Sequence, residues 1–162
     1  MPVFERSIQV AATPEELFRF HENPHNLRSI SPPGLRILEI HANREARAGE
    51  EFRIAAGRGP CTLRWTGRWE KVAPPHSLAD TGVQCPFSAW RHEHRFTPHP
   101  DGGTLLADRV EFRLAWSRGG PAAAWFLLRF VFPGIFAARH AATRQYFAAL
   151  RAKNPLAGDG LS

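Results

Sequence analysis

At Gly119-Gly120-Pro121 the chain changes its period. From residue 35 to 116, apolar and polar side chains alternate in short runs, broken by glycine- and proline-rich turns. The runs cover 35–41, 51–56, 61–72, 77–83, 88–97 and 104–116. Beyond the break, apolar residues recur at helical spacing to about residue 152. Runs of the first kind read as an antiparallel meander, which has one face to bury, and a single long apolar helix can bury it. The two halves predict an α+β fold. A long C-terminal helix lies over the concave face of a curved sheet and encloses a cavity.

The opening residues complete the pattern. Residues 3–10 alternate weakly and supply a seventh strand. Thr13 then stands as an N-cap before Pro14, Glu15 and Glu16, a strong helix start, and Asn23-Pro24 breaks that helix. A second short helix is expected over 25–29, ahead of Ser31-Pro32-Pro33-Gly34. At 162 residues the chain has the length of one domain. The expected division is a single domain over 1–152 and a polar tail over 153–162.

Composition adds limits rather than a function. With 43% hydrophobic and 22% charged residues the chain is not of a disordered or fibrous class. Cys61 and Cys85 show no metal-finger spacing and are expected as two buried, reduced thiols in a cytoplasmic protein. The N-terminus carries Glu5 and Arg6 and lacks the apolar run of a signal peptide. Residues 122–138 are apolar except for Arg129, but fall short of the ~20 residues of a membrane span, so a buried helix is expected there. The net charge of +6 makes an anionic membrane a candidate for transient contact. Nucleic acid ranks below it, because the tryptophans fall mostly on inward faces. Oligomeric state is not legible.

The residues with chemical potential cluster in two runs. A strand through Trp90-Arg91-His92-Glu93-His94-Arg95-Phe96 places Trp90, His92, His94 and Phe96 on one face. On the next strand Leu106, Asp108, Val110, Phe112, Leu114 and Trp116 share a face. A hairpin centred near Asp101 sets His94 opposite Asp108, though a slip of two residues would pair His92 with Asp108 instead. On the helix, Phe136, His140, Thr143, Phe147 and Leu150 form one stripe, and Pro133 is expected to kink or restart the helix.

Three readings of the His–Asp pair stand open: a buried hydrogen bond, polar contacts for a ligand, or general acid–base catalysis by His94 and Asp108. A two-histidine, one-carboxylate metal site is not favoured, and no cofactor is expected. The strands thus offer Trp90, His92, His94, Asp108 and Phe112 to a ligand. The helix offers Phe136, His140, Thr143 and Phe147. No nucleophile motif, Walker sequence or dinucleotide fingerprint is present.

Taken together, the chain resembles the SRPBCC superfamily, the START-like or birch-pollen-allergen helix-grip fold. Within it the chain looks most like bacterial proteins related to polyketide cyclase/dehydratase and lipid-transport domains. The resemblance rests on Thr13-Pro14-Glu15, on Asn23-Pro24 through Ser31-Pro32, and on Asp80 with Gln84 to Pro86. It continues through Trp90-x-His92-x-His94-x-Phe96, Gly103-Thr104 with Asp108-x-Val110, and Phe136 with Arg139, covering about residues 2–151. It implies a hydrophobic pocket between sheet and helix for a lipid-, polyketide- or aromatic-like molecule. Binding or carriage is the leading expectation. A cyclase- or hydrolase-type enzyme is the alternative, and a membrane-surface lipid-exchange protein the second alternative.

Overall fold

A computed structural model describes residues 1–58 and 60–153 of the chain. The tail expected over 153–162 lies, but for Lys153, outside the described residues. The order is β1 (Val3–Val10), α1 (Pro14–Glu22), a 3-10 turn (Pro24–Asn26) and α2 (Leu27–Ile30). Six strands follow: β2 (Arg36–His41), β3 (Glu51–Arg58), β4 (Cys61–Ala73), β5 (Ser77–Gln84), β6 (Ala89–Pro98) and β7 (Thr104–Arg113). The chain closes with α3 (Gly120–Phe126), one π turn (Leu127–Val131) and α4 (Phe132–Lys153).

The strands form one antiparallel sheet of seven in the order β1-β7-β6-β5-β4-β3-β2, so every strand after β2 lies beside its sequence neighbour and β1 closes against β7. The helices cover one face of it, which makes this an α+β helix-grip fold. Local chemistry supports the start. Thr13 Oγ1 accepts from the Glu16 amide while the Glu16 carboxylate accepts from the Thr13 amide, a reciprocal cap for α1.

The β6–β7 register is the one the turn predicts. His94 lies opposite Asp108, Phe96 opposite Leu106 and His92 opposite Val110. The turn depends on glycine. Gly103 has φ 73°, and a Cβ there would come within 2.4 Å of the Val10 carbonyl oxygen. On the outer face several arginines pair with carboxylates: Arg91 with Glu70 and Glu93, Arg95 with Glu93, and Arg109 with Glu5 and Glu111.

Two expectations need correction. The last strand stops at Arg113 rather than running to residue 116, because Arg113 pairs with Ala89, the first residue of β6, and the β1 pairing ends at Glu111. Trp116 instead enters a 3-10 turn and is 83% exposed. Residues 122–138 are also not buried all round. Ala124, Phe132 and Phe136 pack on the sheet, while Trp125, Phe126 and Phe130 face solvent. The helical stretch Gly120–Lys153 is long and apolar enough to cross a membrane by length and composition, yet it lies along the sheet with one stripe buried.

The expected disturbance near Pro133 takes the form of the π turn. Proline lacks an amide hydrogen, and its ring collides with the carbonyl four residues back, here that of Arg129. A wider turn over Leu127–Val131 opens that spacing without breaking the helix. The core falls into two clusters. One, around Leu17, Phe18, Phe20, Phe52, Trp69, Phe96 and Phe147, lies under α1. The other, around Val110, Phe112, Ala124, Phe132 and Phe136, lies under α3 and the start of α4.

Candidate functional site

Asp108 sits between the two clusters and is the most surrounded carboxylate of the described residues. Alternation along β7 turns it inward, and it is only 4% exposed. His92 Nε2 lies 2.8 Å from its Oδ1. From the opposite side, His140 of α4 bonds Oδ2 through Nε2. His94 Nδ1 lies 2.5 Å from Oδ1 but off the line of a hydrogen bond, so it is held beside the carboxylate without bonding it. Three imidazoles therefore converge on one carboxylate, from a strand and from the covering helix.

Burial alone would raise the Asp108 carboxyl, but the imidazoles, His94 foremost, overcome it and hold the group well below the usual carboxylate range. Burial lowers His92 and His94, with Asp108 pulling against it. The consistent state is a carboxylate beside neutral His92 and His94. Asp80, the β5 neighbour of His92, behaves differently. Burial pushes it up to about 6, against the pull of His94, Trp90 and Arg139.

An ion held by His92, His94 and Asp108, whose ligand atoms fall within 4.8 Å of one another, meets a difficulty of distance. Ligands at ~2.1 Å around a tetrahedral metal stand about 3.4 Å apart. Here the oxygen–nitrogen separations are 2.5 and 2.8 Å, closer than one ion would hold them, and the longer is a direct His92–Asp108 hydrogen bond.

A cavity of about 250 Å³ opens in front of this cluster. Its walls are largely aromatic, from Phe20, Phe52, Trp65, Trp69 and Trp90. Its polar lining comes from His21, Asp80, His92, His94 and Arg139, with Asn23 and Asn26. Of the residues expected at a ligand, Trp90, His92 and His94 line the cavity. Asp108 and His140 stand behind them. Phe112 and Phe136 pack in the second cluster, with Phe112 5.5 Å from the Phe87 ring. Phe147 packs in the first, 5.4 Å from the Phe20 ring. The Thr143 hydroxyl donates to the Arg139 carbonyl at 3.0 Å, inside its own helix.

Three titratable lining residues were not among those expected, nor were the aromatic walls of Phe20, Phe52, Trp65 and Trp69. His21 lies one helical turn after Leu17 and so shares its buried face, a signal that helical spacing carries. Its ring is 4.8 Å from that of His94, and burial, reinforced by His94, lowers it to about 3. Asp80 shares the inward face of β5 with Leu78. Arg139 stands next to His140 on α4 and reaches the cavity from the covering helix.

A single curved sheet gripped by one long helix, with a lined hollow between them, defines the SRPBCC class. Within it, the chain belongs to the family described as polyketide cyclase / dehydrase and lipid transport, whose pattern matches residues 1–148. Among curated proteins none matches the chain. Among solved structures, a protein from Rhodobacter sphaeroides shares 23% identity at a TM-score of 0.73, covering 91% of this chain and 93% of that one. The di-domain ARO/CYC StfQ from the steffimycin biosynthetic pathway shares 15% identity at a TM-score of 0.75, with 93% of this chain covering 52% of that one. The di-domain ARO/CYC BexL from the BE-7585A biosynthetic pathway shares 19% identity at 0.71, with 96% and 49% coverage. The chain thus spans about half of each di-domain protein, and at these identities the likeness is one of fold.

Acid should unfold this site. His21, His92 and His94 titrate below the ordinary 6.5 when folded, so the unfolded chain takes protons first as pH falls below that value, and stability drops. Asp80 opposes this between about 6 and its ordinary 3.8, because there the folded state binds its proton more tightly. Thermal unfolding from pH 7 to 4 is expected to show a falling Tm, and Asp80→Asn to steepen the fall. A flat profile, or a slope indifferent to Asp80→Asn, contradicts these assignments.

Proposed function

We propose that the chain binds or carries a compact apolar small molecule, aromatic-, polyketide- or lipid-like, in the cavity between sheet and C-terminal helix. The observation that carries this reading is the aromatic cavity with polar groups gathered in its lining. Its volume lies just below the ~300–1,000 Å³ of usual ligand sites, which favours a small ring system or a single chain over a two-chain lipid. The family description and the two ARO/CYC neighbours point to the same ligand classes. The two cysteines are free but, contrary to expectation, not buried, Cys61 being exposed at the start of β4, and a reducing cytoplasm suits free thiols. Native mass spectrometry of gently purified protein is expected to show a bound mass that denaturation releases. An empty protein that also refuses a panel of naphthols, fatty acids and polycyclic phenols would sink the reading.

A second reading is enzymatic. His94 faces the cavity with the Asp108 carboxylate directly behind it, the arrangement of a general acid or base whose charge is balanced from the far side. For any bound compound that is converted, His94→Ala should lower turnover by ~100-fold while affinity persists. Unchanged turnover would return the chain to the binding class.

A third reading concerns where the ligand is exchanged. Trp116, Trp125, Phe126 and Phe130 are exposed, and the Arg129 guanidinium lies 5.4 Å over the Phe130 ring. No acidic residue occurs between Glu111 and Asp159, while Arg118 and Arg129 flank the rings. Aromatic rings beside unopposed arginines suit the headgroup layer of an anionic bilayer. Sedimentation with phosphatidylglycerol-containing vesicles should carry the protein down at low salt. Trp125→Ala with Phe130→Ala should release it. Equal binding to phosphatidylcholine vesicles, or indifference to both substitutions, would remove the membrane from this account.

A further inference from the structure

Resting on the reading of the cavity as a ligand site, we propose that Arg139 anchors an anionic oxygen group there, so that the ligand is an amphipathic acid with a carboxylate as its head. Arg139 is partly buried on α4 and lines the cavity. Its situation differs from that of the four sheet arginines that meet glutamates. Arg68, Arg91, Arg95 and Arg109 each have a glutamate within 4.0 Å. Among the described residues no carboxylate stands that close to Arg139, and its guanidinium makes no hydrogen bond. Its one close partner is the Phe136 ring, whose centre lies 5.5 Å from the guanidinium carbon. A ring face steadies the planar group but accepts none of its five N–H donors in the way an oxygen does. A cation at the wall of an apolar hollow is costly until an acceptor reaches it. The planar fork of donors matches a carboxylate in bidentate fashion.

The surroundings accommodate such a head group. His21, His92 and His94 are held neutral by burial, and the charge of Arg139 contributes to that in each case. They therefore set no competing cation beside it. His21 and His92 already give their N–H to the Leu17 carbonyl and to Asp108, which leaves His94 as the imidazole with an N–H to offer. Asp80, the one carboxylate in the lining, already sits close to protonation, with its carboxyl pushed up to about 6. An arriving anion favours its neutral form further. The aromatic walls supply the apolar surface for the rest of the molecule. Acid head and compact apolar body together describe aryl carboxylic acids and short fatty acids, which share the head group and differ in the body.

Matched pairs separate head from body. Dissociation constants would be measured by calorimetry for 2-naphthoic acid against 2-naphthalenemethanol, and for decanoic acid against decanol. The native chain should prefer the acid at least ~10-fold in one pair, in line with a charge-assisted bond. Which pair shows the preference identifies the body. Arg139→Gln should erase the preference while leaving the alcohol's affinity, and Arg139→Lys should retain part of it. Thermal unfolding of both variants verifies that each is folded. If the alcohols bind and the acids gain nothing, or the preference survives Arg139→Gln, the anchor is overturned and the cavity reading stands. If no member of either pair binds, both are overturned.

Discussion

A carboxylate buried in a protein of this size has to be satisfied by groups brought to it, and in this chain they come from two layers. His92 and His94 reach Asp108 along the sheet, and His140 reaches it from α4. Near its end the long helix is tied by Arg151 to the Ala11 carbonyl and Glu16, and along its middle it is packed by phenylalanines, which fix a distance but tolerate sliding. The His140–Asp108 bond fixes both position and rotation, because an imidazole nitrogen must meet an oxygen. Leaving one member of such a buried hydrogen-bonded set unsatisfied typically costs about 1–3 kcal/mol, and more for a charged oxygen. The geometry of the cavity follows, because its sheet wall and its helix wall are joined at this point.

Much of this arrangement is legible in the amino-acid pattern. Two-residue alternation places His92, His94 and Asp108 on inward faces, and the Asp101-Gly102-Gly103 turn sets their register. What alternation cannot say is where pairing stops. The pattern runs on to Trp116, but β6 begins at Ala89 and offers no partner past Arg113. Helical spacing likewise selects His140 as inward-facing without revealing that it meets Asp108, since that contact spans 32 positions and depends on how the helix docks. Arg139 and Asp80 do not stand out as site residues for a shared reason. A lone charged residue in a sequence reads as surface, and only the closed fold shows that its head ends in a hollow.

The distribution of charge sharpens the meaning of the basic composition. On the outer face of the sheet Arg68, Arg91, Arg95 and Arg109 answer glutamates, and residues 1–111 hold as many acidic as basic residues, which leaves little net field there. Residues 112–158 contain arginines and no acid at all. The excess positive charge of the chain is therefore concentrated on the element that also carries its exposed aromatic rings. A neutral composite surface over the sheet and a cationic one over the helix give the molecule two unlike sides.

The π turn before Pro133 decides which ring that cationic side displays. In a regular helix a residue seven positions before Phe132 falls on the same face, and that residue is Trp125. The turn over Leu127–Val131 adds about one residue to the count. Ala124 takes the inward place and is 3% exposed, while Trp125 is rotated out to 61%. A proline inside the helix thus sets the phase of everything ahead of it, and a single change of phase converts a core tryptophan into a surface one.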